Sequence, residues 1–274
     1  MTTMVEDQNR FESDASRYAA YLETPEGRLR ADLTFANLQD FLPSPPQLNS
    51  LRALDLGCGT GVAAVRLARL GVDVSLLDLS RTMLDLAEGT MVEAGVSDKV
   101  TVKQGDVAEL PGIFQTGSFD IILCHNLLEF VDDPAAVLRA AVRAMRDSSG
   151  ILSVLVRNQA GEVLKAALQV GDLAAADQAL VAEWGQESLY GGKVRLFTPE
   201  ALDAVLKDAS LTLIARRGVR ILADYLPSQI SRSAEYERIF ALEHKLGKRG
   251  EFFGMARYLH CLARLATHGT KDVE

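Results

Sequence analysis

The sequence predicts an α/β fold built on a mostly parallel sheet, and three observations predict it. From Leu51 onward, short apolar runs alternate with longer segments of helical period, the spacing of βαβ units. The runs are apolar throughout, as suits strands buried on both faces. Gly57, Gly59 and Gly61 then follow the first run directly and lead into a helical period.

Residues 1–24, at the start of the chain, have weak helical patterning. The segment Pro25–Phe41 sets Leu29, Leu33, Phe35, Leu38 and Phe41 near one helical face, and Pro43, Pro45 and Pro46 stop it. Residues 1–46 are therefore expected to be an N-terminal helical flap, with the main domain over 47–274. Within that domain, strand Ala53–Leu56 precedes helix Val62–Leu70, and strand Val72–Leu77 precedes helix Ser80–Ala94, with Ser80 as N-cap. Strands Val100–Lys103 and Phe119–His125 come next, then a helix Pro134–Arg146 opened by Asp132 and Asp133, and a strand Gly150–Val156.

After Asn158 the pattern loosens. Residues 159–197 have helical fragments within Val163–Gln178, a turn at Tyr190–Gly191–Gly192 and no clear strand, so they are expected to be an insertion over the sheet. Thr198–Pro199–Glu200 starts another helix. Leu211–Ile214 with Val219–Ala223 reads as a strand, Ser231–Lys248 as a helix, and Gly254–Leu265 as a closing strand.

Composition narrows the function. Of 274 residues, 48% are apolar and 24% charged, with a net charge of −8, the balance of a globular enzyme rather than of a protein that coats nucleic acid by bulk charge. Cys58, Cys124 and Cys261 are far apart, which argues against a zinc site and a disulfide framework. The polar N-terminus has no signal-peptide run and no segment is apolar enough to span a bilayer, so a cytoplasmic location is expected.

The glycine loop is the most informative stretch. A nicotinamide-type loop needs its third glycine at position 62, where this chain has Val62. The run Asp55–Leu56–Gly57–Cys58–Gly59–Thr60–Gly61 instead fits a DxGxGxG pattern, and in this it resembles the class I S-adenosylmethionine-dependent methyltransferases. Asp78 ends the second strand about 20 residues beyond the loop, where a carboxylate can accept both ribose hydroxyls. Asp106 and Val107 follow the third strand, and His125 ends the fourth.

That resemblance implies a Rossmann-like fold: a mostly parallel seven-stranded sheet, helices on both faces, the N-terminal flap and an insertion after strand 5. It implies S-adenosylmethionine as cofactor, held by Asp55, Gly57, Cys58, Gly59, Gly61, Asp78 and Leu79. Asp106 and Val107 would flank the adenine, with His125 at the methionine end. The resemblance extends to the bacterial tRNA 5-carboxymethoxyuridine methyltransferase family. The matching pieces are Gly27–Arg30, Leu127–Val131, Asn158, Gly218–Arg220 leading to Asp224–Leu226, and Arg257–His260. By it, Arg30 would reach the cofactor carboxylate, and the methyl acceptor would be a carboxylate on a modified wobble uridine of tRNA.

The residues themselves suit such an acceptor. A carboxylate is already ionised at neutral pH and needs only cations to hold it. Arg157, Arg195, Arg220 and Arg257 are candidate anion holders, although the plainer reading of each is a surface salt bridge. Tyr190 and Tyr225 could stack on a base or simply pack. His125, Arg220 and Arg257 are the catalytic candidates, and no metal is expected. A small-molecule O- or C-methyltransferase, acting on a metabolite carboxylate or a quinol, and a non-catalytic module are the alternatives.

Overall fold

A computed structural model describes residues 14–187, 189 and 192–266. Helix α1 covers residues 14–22 and α2 covers Pro25–Gln39. Thr24 caps α2 by accepting from Gly27 N, with Pro25 in the first turn. The proline-rich stop includes one further turn, α3 (Pro45–Leu48), where plain linker was expected.

The strands are β1 (Arg52–Leu56), β2 (Asp73–Asp78), β3 (Val100–Gln104), β4 (Ile121–His125), β5 (Ile151–Arg157), β6 (Trp184–Gln186), β7 (Lys193–Arg195), β8 (Leu211–Val219) and β9 (Tyr258–Leu265). Seven form one sheet in the order β3-β2-β1-β4-β5-β9-β8, and β6 pairs with β7 in a separate ribbon. β1 to β5 run parallel, while β9 is antiparallel to both β5 and β8. The α/β reading and the seven-stranded, mostly parallel sheet therefore stand.

Helices cover both faces. On one face α4 (Val62–Arg69) and α5 (Arg81–Ala94) bury Leu67, Leu84 and Met91 against Ala53, Leu76 and Leu123. After α6 (Leu110–Ile113), the opposite face is packed by α7 (Pro134–Ala144), whose Leu138 and Ala141 meet Leu54, Leu56 and Ile122. Neighbours such as Ala53 and Leu54 thus enter different cores, as the pleat requires. Ser80 and Asp133 cap α5 and α7 by accepting from Met83 N and Ala136 N, where the sequence predicted those starts.

Beyond β5 the boundaries differ from expectation. The insertion holds α8 (Gln159–Leu164), a π-helical turn Lys165–Val170, α9 (Leu173–Ala179) and the β6–β7 ribbon. Strands of three residues are too short to show alternation in sequence. The turn expected at Tyr190–Gly191 lies outside the described residues. Helix α10 (Pro199–Asp208) starts at the Thr198 cap as predicted. The expected strand piece Val219–Ala223 is not a strand beyond Val219, because Arg220 has φ +60° and turns the chain away. The predicted helix Ser231–Lys248 is shorter, α11 (Tyr236–Gly247), and is followed by a turn, α12 (Gly250–Phe253). That turn and its exit displace the start of the closing strand from Gly254 to Tyr258.

The bend after β8 is fastened from α11. Glu243 is fully buried, and its carboxylate accepts from Ile221 N, Leu222 N and Ala223 N at 2.7, 2.9 and 2.7 Å. Glu243→Ala should orphan all three donors and destabilise the fold by roughly 3 kcal/mol or more. Glu243→Gln, which keeps one carbonyl oxygen, should recover part of the loss in urea unfolding.

Candidate active site

The carboxyl ends of β1, β2, β4 and β5 surround a cavity of about 580 Å³, within the range of small-ligand sites. Its geometry starts at the glycine loop. Gly57 N and Cys58 N both donate to Leu77 O, at 2.8 and 3.2 Å, so the loop is folded back over the end of β2. Gly57 and Gly59 have φ of +62° and +52° and both line the cavity. A Cβ on Gly57 would stand 2.9 Å from Leu127 Cδ1, so the chain passes there too closely for a side chain. Gly61 does not line the cavity and instead serves the packing of the loop on α5, where its Cβ would strike Met91 Cε at 2.5 Å.

Asp78 completes this end. One oxygen accepts from Gly59 N at 2.8 Å and the other from Ser80 N at 2.9 Å, which fixes the carboxylate beside the loop. Leu79, Asp106 and Val107 line the cavity. Asp106 also caps the following turn by accepting from Ala108 N at 2.8 Å. Asp55 and Cys58 lie behind the loop and line only a small adjoining cavity of about 70 Å³. Burial, and then the Asp78 carboxylate, push the Asp55 carboxyl up to about 8.

The other end is cationic. Arg30, Arg157, Arg220 and Arg257 all line the cavity, and all four are buried. They come from four different places: α2, the end of β5, the bend after β8 and the start of β9. Tyr258, opposite Arg157 across the β5–β9 pair and opposite Val219 across β8–β9, sits among them. Arg30 and Arg220 lie over its ring at 5.7 and 5.8 Å. Burial alone would raise the Tyr258 phenol, but Arg30, Arg220, Arg157 and Arg257 together hold it down to about 7.

Carboxylates balance the cluster. Arg157 pairs with Glu187 at 2.9 Å and Glu162 at 3.3 Å, Arg257 with Glu162 at 3.0 Å, and Arg220 with Asp224. Arg220 also donates to Tyr21 Oη, and Arg30 to Tyr18 Oη, each at 2.9 Å, which brings α1 over the cavity. His125 lines the cavity as well, and burial together with the Arg30 charge lowers its pKa to about 3, so its ring is neutral.

Among solved structures, a Thermotoga maritima S-adenosylmethionine-dependent methyltransferase matches 93% of this chain and 98% of its own, with a TM-score of 0.63 and 19% identity. Residues 54–153 match the family model described as a methyltransferase domain. Over these residues this chain carries a methyltransferase domain. Over its whole length the methyltransferase resembles the tRNA 5-carboxymethoxyuridine methyltransferase of Escherichia coli K12, with 28% identity over 95% of this chain and 97% of the relative. The ubiquinone biosynthesis O-methyltransferase of Ralstonia nicotianae is 33% identical but matches only 47% of this chain and 53% of its own. The longer match reaches the elements that carry Arg30, Arg220 and Arg257, on either side of the matched domain.

Besides Asp55, Cys58 and Gly61, two further sequence candidates fall outside the cavity. Arg195 lies over Trp184 at 4.7 Å and donates to Asp132 O, and Tyr225 is not part of the lining. Tyr190 lies outside the described residues. Sequence reasoning missed Tyr18, Tyr21, Glu162 and Glu187. Asp224 did leave a local signal, its i, i+4 spacing from Arg220.

The methyltransferase should show Asp55 in its stability. The folded chain keeps a proton on Asp55 that the unfolded chain releases near the ordinary 3.8, so stability falls as pH rises from there to about 8 and then levels. Asp55→Asn cannot lose that proton. Its unfolding free energy relative to the wild type should therefore rise across the same interval, and a constant difference would refute the assignment.

Proposed function

We propose that this methyltransferase binds S-adenosylmethionine in the cavity and esterifies a carboxylate on a modified wobble uridine of tRNA. The observation that carries the reading is the convergence of Arg30, Arg157, Arg220 and Arg257 around Tyr258 in one buried cavity. Guanidinium groups recognise carboxylates by paired hydrogen bonds, and a buried position strengthens each. The whole-length likeness to a tRNA 5-carboxymethoxyuridine methyltransferase supports the same acceptor.

The chain fits the donor at the opposite end. The close backbone at Gly57 and Gly59 leaves room a Cβ would fill, and Asp78 offers a carboxylate to a sugar diol. Leu79, Asp106 and Val107 would hold the base, and Arg30 with His125 the amino-acid portion. When bound, the donor supplies a methyl group on a positively charged sulfur. The protein then has to hold an ionised acceptor in line and keep water out, which is chiefly positioning. Arg220 and Arg257 are fixed by Asp224 and Glu162, so neither has to be ordered at the moment of reaction. No residue has to remove a proton from a carboxylate, and the neutral, half-buried His125 would act as a binding group rather than a base. The described part of the flap, residues 14–46, would close this end through Tyr18 and Tyr21, and the protein would work in the cytoplasm.

A small-molecule acceptor is favoured by one feature of this acidic chain, the exposed apolar side chains Leu168, Val170, Leu173 and Val181 of the insertion, whose Lys165 and Gln169 line the cavity. Labelled methyl transfer decides between the two. The tRNA reading expects label in tRNA from cells that lack the modification, released by mild alkali as an ester should be. Transfer to a metabolite acid or quinol with none to tRNA would overturn it. Asp78→Ala should weaken binding of S-adenosylhomocysteine roughly tenfold to hundredfold in calorimetry, the loss of charged hydrogen bonds. Arg220→Lys should lower kcat/KM for the acceptor about tenfold or more while leaving that binding near the wild-type value.

A further inference from the structure

A chain of buried side chains crosses the sheet behind the cavity. His125 Nε2 is 2.8 Å from Ser153 Oγ, and the same oxygen is 2.8 Å from His260 Nε2. His260 Nδ1 faces Asn37 Nδ2 at 3.4 Å. The four residues belong to β4, β5, β9 and α2. Ser153, His260 and Asn37 are essentially inaccessible to water. The two imidazoles also meet edge to face, with ring centroids 5.7 Å apart.

Hydrogen-bond arithmetic gives this chain a direction. The Asn37 amide turns its nitrogen to His260, and the buried Asn37 Oδ1 has no hydrogen-bond partner of its own; in this orientation the amide donates, so His260 Nδ1 accepts and carries no proton. A neutral His260 then carries its proton on Nε2 and donates to Ser153 Oγ. The serine hydroxyl has a single proton, which is left to donate to His125 Nε2. His125 Nε2 is thereby an acceptor turned away from the cavity, and the ring proton stays on Nδ1. Burial keeps both rings neutral, with the Arg30 charge adding to the effect at His125 and the Arg217 charge at His260.

We infer that Asn37, His260 and Ser153 are positioning residues that fix His125 as the Nδ1–H tautomer, a hydrogen-bond donor toward the cavity and not a proton acceptor. The relay runs from α2, the helix that also brings Arg30 to the cavity, so a single helix sets both the cation and the imidazole at that end. A phenol or amine acceptor would profit from a base there, whereas an ionised carboxylate would not. This last consequence rests on the carboxylate reading above. The tautomer itself does not.

Ring-nitrogen NMR of protein labelled with ¹⁵N-histidine tests the relay without substrate or cofactor. The wild type should show His125 with a protonated, pyrrole-type Nδ1 and a bare, pyridine-type Nε2. In Asn37→Asp the carboxylate accepts where the amide donated, so every bond should reverse and the two His125 signals should exchange types. Ser153→Ala, which removes only one oxygen, should leave both His125 nitrogens at averaged positions, and it serves if the aspartate variant does not fold. A wild-type His125 with protonated Nε2, or unaltered His125 signals in either variant, would overturn the inference. Calorimetry with S-adenosylhomocysteine separates the two readings: if the wild type fails to bind it, the donor assignment falls while the NMR still decides the relay.

Discussion

Four buried guanidinium groups within one cavity are the constraint on which the rest of this structure depends. Isolated charges of one sign cannot be carried out of water together, and the cost is met here by partners from distant parts of the chain. Glu162 from the insertion is shared by Arg157 and Arg257, Glu187 from the ribbon takes Arg157, and Asp224 takes Arg220. The net result is a field still positive enough to hold the Tyr258 phenol near 7.

The second requirement is that those arginines be held where β-structure stops. Arg157 ends β5 and Arg257 immediately precedes β9, so the sheet itself places them. Arg220 needs a break, and its left-handed backbone is maintained because the Glu243 carboxylate satisfies the next three N–H groups. Asn126, with φ +53° just beyond β4, is a comparable bend on the opposite side of the cavity. Its side chain donates to Glu129, which also accepts from Arg157 N. Among the described residues three non-glycine residues have positive φ; Asn126 and Arg220 line the cavity and are supported by buried carboxylates, whereas Ser210 precedes β8 away from it.

At the donor end the electrostatics run the other way. Asp55 is driven toward its protonated form by burial and then by the neighbouring Asp78 carboxylate. The imidazoles behind β4 are neutral as well.

Much of this was legible in the sequence. Alternating apolar runs and helical periods determined the parallel sheet, since both are local patterns of solvent exclusion. The glycine spacing with Asp78 determined the loop, because tight turns and strand-end carboxylates are written within a few tens of residues. Arg30, Arg157, Arg220 and Arg257 were each visible as candidates, but Arg195 was indistinguishable from them. Only the folded chain decided among these, by bringing α2, β5 and the β8–β9 edge to one place and leaving Arg195 against Trp184. Glu187, Glu243 and the Ser153–His260–Asn37 chain had no sequence signal at all. Their partners lie on other elements, and an ion pair or a hydrogen bond is set by distance in space, which periodicity along the chain does not record.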